Sequence, residues 1–125
     1  FDFTMLTSIF THMLPKDLEN YLSEISRTLN PGGRCLITYC LITPDTIQRV
    51  RAGETQPVFA HDLGDYWTSD LERPESAIAY RESFARSQYA NCGLKICDPI
   101  HFGSWSGRDQ HLDYQDIVVA EKPMK

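Results

Sequence analysis

No stretch of these 125 residues approaches the ~20 consecutive apolar residues that cross a bilayer. No charged start with an apolar stretch and a small-residue cleavage site marks a secretory signal, so a cytosolic protein is the expectation. Basic residues are the scarcer charge, 12 Lys+Arg against 17 Asp+Glu for a net charge of −5. Short doublets such as Arg49 and Arg51 make no cationic stripe that would neutralise a run of phosphates, which speaks against nucleic acid as the primary partner and for a small or neutral substrate. Cysteine is limited to four residues, spaced as Cys35/Cys40 and Cys92/Cys97. Zinc ligands are usually more tightly spaced with histidine nearby, so buried free thiols in a reducing compartment are the better reading. An initiator methionine is also lacking: the chain opens at Phe1 inside an apolar segment, which points to residues upstream.

What is present describes one soluble globular unit. With 42% hydrophobic and 11% aromatic residues, a chain this long buries roughly two thirds of its unfolded surface, enough for one core and not for two domains. Phe1 to Ser8 is near-continuously apolar and reads as a strand buried on both faces. Pro15 suits the first turn of a helix, Asp17 and Glu19 favour its positive end, and Leu18, Leu22, Ile25 and Leu29 recur at helical spacing. Asn30-Pro31-Gly32-Gly33 stops that helix, and Cys35 to Ile42 follows as a second strand. Strand, helix, strand within about 42 residues is the spacing of a parallel crossover.

Beyond it, Thr43 caps a short helix opened by Pro44 that carries Ile47 and Val50 to about Ala52. Gly53 to Glu75 is irregular and reads as a lid-like loop. Pro74 and Glu75 open a further helix through Ile78, Tyr80, Phe84 and Ala85 that closes at Gly93. Leu94 to Cys97 is a short strand and Tyr114 to Glu121 the last one, antiparallel, so the expected sheet is mixed.

Taken in order, FDFTMLTSIFTHM, LENYLSEISRTLNPGGRCLITY, the helix ending at Cys92-Gly93-Leu94, and YQDIVVAEK resemble the C-terminal half of a class I S-adenosylmethionine-dependent methyltransferase. The most specific part is Leu22 to Thr38, where Arg27-Thr28-Leu29-Asn30-Pro31-Gly32-Gly33 is similar to the turn joining the fourth and fifth strands in that family. The resemblance implies an α/β fold, a partial Rossmann-like sheet of strands four to seven with flanking helices. It also implies S-adenosylmethionine as cofactor and methyl transfer to a small-molecule acceptor. Family members hold the cofactor with a glycine-rich loop and an acidic residue on earlier strands; no Gly-x-Gly-x-Gly occurs here. The alternative is a non-catalytic half-domain stabilised as a homodimer through an exposed first strand.

The resemblance further implies that Thr7, Ser8 and Ile9 line the cofactor's methionine and adenine region and that His12 faces the acceptor. An imidazole, which ordinarily titrates near neutrality, can act there as general base or orient the acceptor; it can also simply sit beside the helix starting at Pro15. Tyr39, at the end of the fifth-strand candidate, either contacts substrate or fills the core. His61, Tyr66 and Trp67 with Trp105 either wall an acceptor or make one packed lid. Asp62, Asp65 and Asp70 match no calcium-loop spacing and read as a solvated face, with no metal assigned.

Overall fold

A computed structural model of the chain describes residues 2–7, 9–55, 59–106 and 115–124. In chain order the main elements are β1 (Phe3–Leu6), α1 (Pro15–Thr28), β2 (Arg34–Tyr39), β3 (Leu41–Ile42), α2 (Pro44–Arg51), β4 (His61–Asp62), β5 (Tyr66–Thr68), β6 (Ile78–Arg81), α3 (Glu82–Asn91), β7 (Lys95–Ile96) and β8 (Asp116–Glu121). Short 3-10 turns lie at Phe10–His12, Pro74–Ser76 and Ser104–Ser106.

The strands form two four-stranded sheets. In the larger, ordered β1-β2-β8-β7, β1 runs parallel to β2 with Phe3 opposite Arg34 and Leu6 opposite Ile37. β8 is antiparallel to β2 and to β7. This is the mixed sheet that the sequence implies, built on the expected crossover. The first strand is shorter than Phe1 to Ser8, and Phe1, Ser8 and Tyr114 fall outside the described residues. Alternation along β2 and β8 buries Cys35, Ile37, Val118 and Ala120 on one face. Among the described residues β1 is hydrogen-bonded on its β2 side only, and Phe3 and Met5 are 54% and 58% exposed.

α1 buries Leu18, Leu22 and Ile25, the stripe read from their spacing. Each such side chain contributes about 1.5–3 kcal/mol on leaving water. The Pro-Gly-Gly turn after it is tied to the far end of the chain. Gly32 N–H donates to the Lys122 carbonyl at 2.7 Å, Lys122 N–H donates to the Gly33 carbonyl at 2.8 Å, and Lys122 Nζ reaches the carbonyls of Ser26 and Leu29 at 2.8 and 3.0 Å. A cation on those last carbonyls opposes the negative end of the helix. Gly32 has φ +85°, a left-handed backbone that favours glycine, whereas the Met124 side chain that an added Cβ would meet is exposed and free to move aside.

The smaller sheet, ordered β3-β6-β5-β4, departs from the sequence reading in three places. The strand expected over Cys35 to Ile42 breaks at Cys40, and its last two residues pair with β6 instead of continuing the main sheet. The segment read as a lid-like loop holds β4, β5 and the hairpin between them, where Gly64 N–H donates to Asp62 Oδ1 at 2.8 Å. The helix expected from Pro74 begins only at Glu82: Pro74 opens a 3-10 turn, and Ile78–Arg81 is the central strand β6, paired with both β3 and β5. Ile78, Ala79 and Tyr80 are all fully buried. A strand covered on both faces shows a continuous apolar run, which periodicity cannot separate from a helix.

Two buried clusters result. The larger joins Phe10, α1, the main sheet, Tyr80 and Tyr89; the smaller joins Cys40, Ile42, Val50, Phe59, Trp67, Ala79 and Trp105. All four cysteines are free thiols, with Cys35 and Cys40 buried. Among the described residues no helix is long and apolar enough to cross a membrane.

Candidate functional site

The 3-10 turn Phe10–His12 is the next element in the chain after the carboxyl end of β1. Phe10 anchors that turn: its ring is fully buried and meets Tyr39 edge-on at 5.5 Å. Thr7, Ile9 and His12 remain exposed around it, while Ser8 lies outside the described residues. Thr11 is buried, and its Oγ1 has no partner among the described residues. A buried hydroxyl without a partner is uncommon.

His12 is held from outside its own element. Its Nδ1 lies 3.0 Å from the carbonyl of Glu75, in the 3-10 turn before β6. A carbonyl can only accept, so Nδ1 carries the proton and the lone pair of the neutral ring is on Nε2, the tautomer a general base needs. Tyr80 adds a second tie, its hydroxyl donating to the carbonyl of Met13. Tyr80 also stacks on Phe84 with ring centroids 5.7 Å apart. The segment read as a lid thus carries the β4–β5 hairpin among its described residues, and the turn after β1 is joined to Glu75 at its end and to Tyr80 in β6.

The structure separates the aromatic residues that the sequence groups. Tyr39 is 1% exposed and its hydroxyl is 2.9 Å from that of Tyr89; of its two readings, filling the core is the one observed. Burial pushes the Tyr39, Tyr80 and Tyr89 phenols well above their ordinary range. Trp67 and Trp105 are also buried, in the smaller cluster, so they do not wall an open acceptor site with His61; the packed reading holds for both. Tyr66 is half-buried against Tyr80, with ring centroids 6.3 Å apart. Of the carboxylates, Asp62 pairs with Arg81 at 3.1 Å. Among the described residues no three His, Cys, Asp or Glu side chains are grouped to hold a metal.

The sequence reading passed over Asp116. At 1% exposure it accepts from Leu41 N–H at 2.7 Å, from Trp105 Nε1–H at 2.9 Å and from Gly103 N–H. It therefore fixes the point where β2 ends and β3 turns into the smaller sheet. The signal available was an acidic residue opening the apolar run of the last strand.

No family model matches the chain. Among the solved structures that share its fold, two are matched across its full length. One is a SAM-dependent methyltransferase from Methanosarcina mazei, 19% identical with a TM-score of 0.62, matched over 100% of this chain and 60% of that one. The other comes from work on the conversion of a disulfide bond into a thioacetal group during echinomycin biosynthesis, 14% identical with a TM-score of 0.52, matched over 100% and 49%. The chain has a partial methyltransferase-like α/β fold, and it spans 60% and 49% of the two chains it matches.

Proposed function

We propose that this chain is the acceptor-side portion of an S-adenosylmethionine-dependent methyltransferase acting on a small molecule. The observation that carries the reading is the match of its whole length to a methyltransferase at a TM-score of 0.62. The carboxyl end of β1 suits the cofactor: Ile9 offers an exposed apolar side chain, Thr7 a hydroxyl, and Thr11 Oγ1 is buried with no partner among the described residues. When bound, S-adenosylmethionine supplies an electrophilic methyl group on a sulfonium. Thr7, Ile9 and Thr11 are the residues that would hold it, together with Ser8 by the resemblance.

His12 then has a definite task. With its proton fixed at Nδ1 by the Glu75 carbonyl, Nε2 takes the acceptor's proton as the nucleophile forms. The smaller sheet, tied to the same turn by Tyr80, limits how the acceptor approaches. Methyl transfer depends chiefly on such alignment, so holding the acceptor in line supplies much of the rate.

In the full-length protein, His12→Gln is expected to lower kcat for transfer of a radiolabelled methyl group about 100-fold, as loss of a general base does. Calorimetric affinity for S-adenosylhomocysteine should be unchanged. Unaltered turnover would remove His12 from the reaction. Absence of both cofactor binding and methyl transfer in the wild-type protein would overturn the reading as a whole.

A further inference from the structure

The carbonyl that holds His12 belongs to a turn with little internal support. The 3-10 turn Pro74–Ser76 closes on Ser76 N–H, which donates to the Arg73 carbonyl at 3.0 Å. So short a turn leaves its last carbonyls without partners of its own. The Glu75 carbonyl, 3.0 Å from His12 Nδ1, is one of them. It keeps its direction only where the chain on either side of it is held from elsewhere.

Thr68 supplies that hold. Its Oγ1 lies 2.9 Å from the Pro74 carbonyl, 3.2 Å from the Ala77 carbonyl and 3.3 Å from the Asp70 carbonyl, and it accepts from Asp70 N–H at 3.3 Å. A hydroxyl has one proton to give, and the Pro74 carbonyl is the nearest acceptor. The Pro74 carbonyl belongs to the peptide plane that enters Glu75, and Ala77 follows the turn. One hydroxyl therefore grips the segment on both sides of the Glu75 carbonyl. Thr68 is itself fully buried and paired with Ile78 of β6 and His61 of β4. A strand flanked on both sides is a more rigid support than a loop. Tyr66, two residues earlier on the same face of β5, packs on Tyr80, whose hydroxyl donates to the Met13 carbonyl beside His12. That face of β5 thus stands behind both ties to the Phe10–His12 turn.

We propose that Thr68 is a positioning residue for His12. Through the Pro74 and Ala77 carbonyls it sets the direction of the Glu75 carbonyl, and so decides which ring nitrogen carries the proton. Fully buried, it meets neither cofactor nor acceptor. Its importance for turnover rests on the reading of His12 as the group that faces the acceptor; the chain of contacts does not.

The tautomer, and not turnover, is what is measured. Ring resonances of His12 are recorded on the 15N-labelled full-length protein at about pH 8, where an ordinary imidazole is neutral, and are assigned by their loss in His12→Gln. The parent is expected to show Nδ1 protonated and Nε2 bare. In Thr68→Val, which keeps the shape and removes the hydroxyl, the two nitrogen shifts should move to those of a histidine in an unstructured peptide. Should that variant not fold, Thr68→Ala takes its place. Thr68→Ser, which keeps the hydroxyl, should retain the parental pattern. Amide resonances of β2 and β8 should stay in place throughout, which separates release of the turn from loss of the fold. A parental tautomer in the folded variant without the hydroxyl would overturn the proposal, as would the same change in Thr68→Ser. An Nε2-protonated ring in the parent would also overturn it, and that result needs no variant. A tautomer that answers to Thr68 supports the proposal even where His12→Gln leaves methyl transfer intact, so its failure and that of the proposed function are told apart.

Discussion

Asp116→Ala is expected to cost about 4 kcal/mol of stability, or to prevent folding, since each buried donor left without its acceptor costs about 1–3 kcal/mol. Three N–H groups depend on that carboxylate: Leu41 N–H at 2.7 Å, Trp105 Nε1–H at 2.9 Å and Gly103 N–H. They belong to two separate segments, β3 and the stretch Gly103 to Trp105, and the carboxylate gathers them where β2 passes into β3. The truncation also leaves a void beside Trp105, one of the largest fully buried side chains. Asp116→Asn keeps the shape and one acceptor oxygen but turns an amide N–H toward other donors, so about half the loss is expected, roughly 2 kcal/mol. Urea unfolding measures both, provided the slope is unchanged and only the midpoint moves. A loss below about 1 kcal/mol for Asp116→Ala, the size of one ordinary hydrogen bond, would show that the junction between the sheets is held by other contacts.

Alkali is expected to unfold the protein cooperatively, beginning well before its buried phenols ionise in place. Desolvation raises the pKa of Tyr39, Tyr80 and Tyr89. It pushes the Cys35 thiol up to about 11 and the Cys40 thiol up further. In the unfolded chain thiols lose their protons near pH 8.5 and phenols near pH 10. Above those values the unfolded state binds fewer protons than the native state, so stability falls as pH rises. The fall is about 1.4 kcal/mol per pH unit for each group still protonated in the fold. Below about pH 8 these groups contribute their full stability. Between roughly pH 10 and 11 five of them act together, and above that four, Cys35 having lost its proton in the fold, enough to cancel the 5–15 kcal/mol of a typical domain. Phenolate absorbance should therefore rise in one step that coincides with loss of near-ultraviolet circular dichroism. Smooth ionisation of all tyrosines with the dichroism intact would contradict the burial described for these three.

The first third of the chain was legible because its signals are local. Leu18, Leu22 and Ile25 repeat at helical spacing, Pro15 and the Pro-Gly-Gly turn bound the helix, and the flanking apolar runs pair in parallel as expected. The smaller sheet was not legible, because strands of two or three residues such as His61–Asp62 and Tyr66–Thr68 carry no period to detect. Ile78–Arg81 was taken into a helix for the opposite reason: its apolar run is unbroken because both faces are covered. The break at Cys40 depends on Asp116, 75 residues from the Leu41 N–H it accepts. At the candidate site the position of His12 after a strand was readable, but the Glu75 carbonyl that fixes its tautomer lies 63 residues on. Once Gly53 to Glu75 was read as a loop, Trp67 looked available to a ligand; the sheet in which it sits, and Trp105 beside it, bury both.

The proposed function requires that the cofactor meet this chain at the open end of β1. Ultraviolet irradiation of the full-length protein with S-adenosylmethionine labelled in its methyl group, followed by proteolysis and peptide mapping, tests this directly. Covalent label is expected in the segment spanning Thr7 to Met13, and it should be suppressed by excess S-adenosylhomocysteine. Label confined to other segments of this chain, or no protectable label on a folded protein, would contradict it.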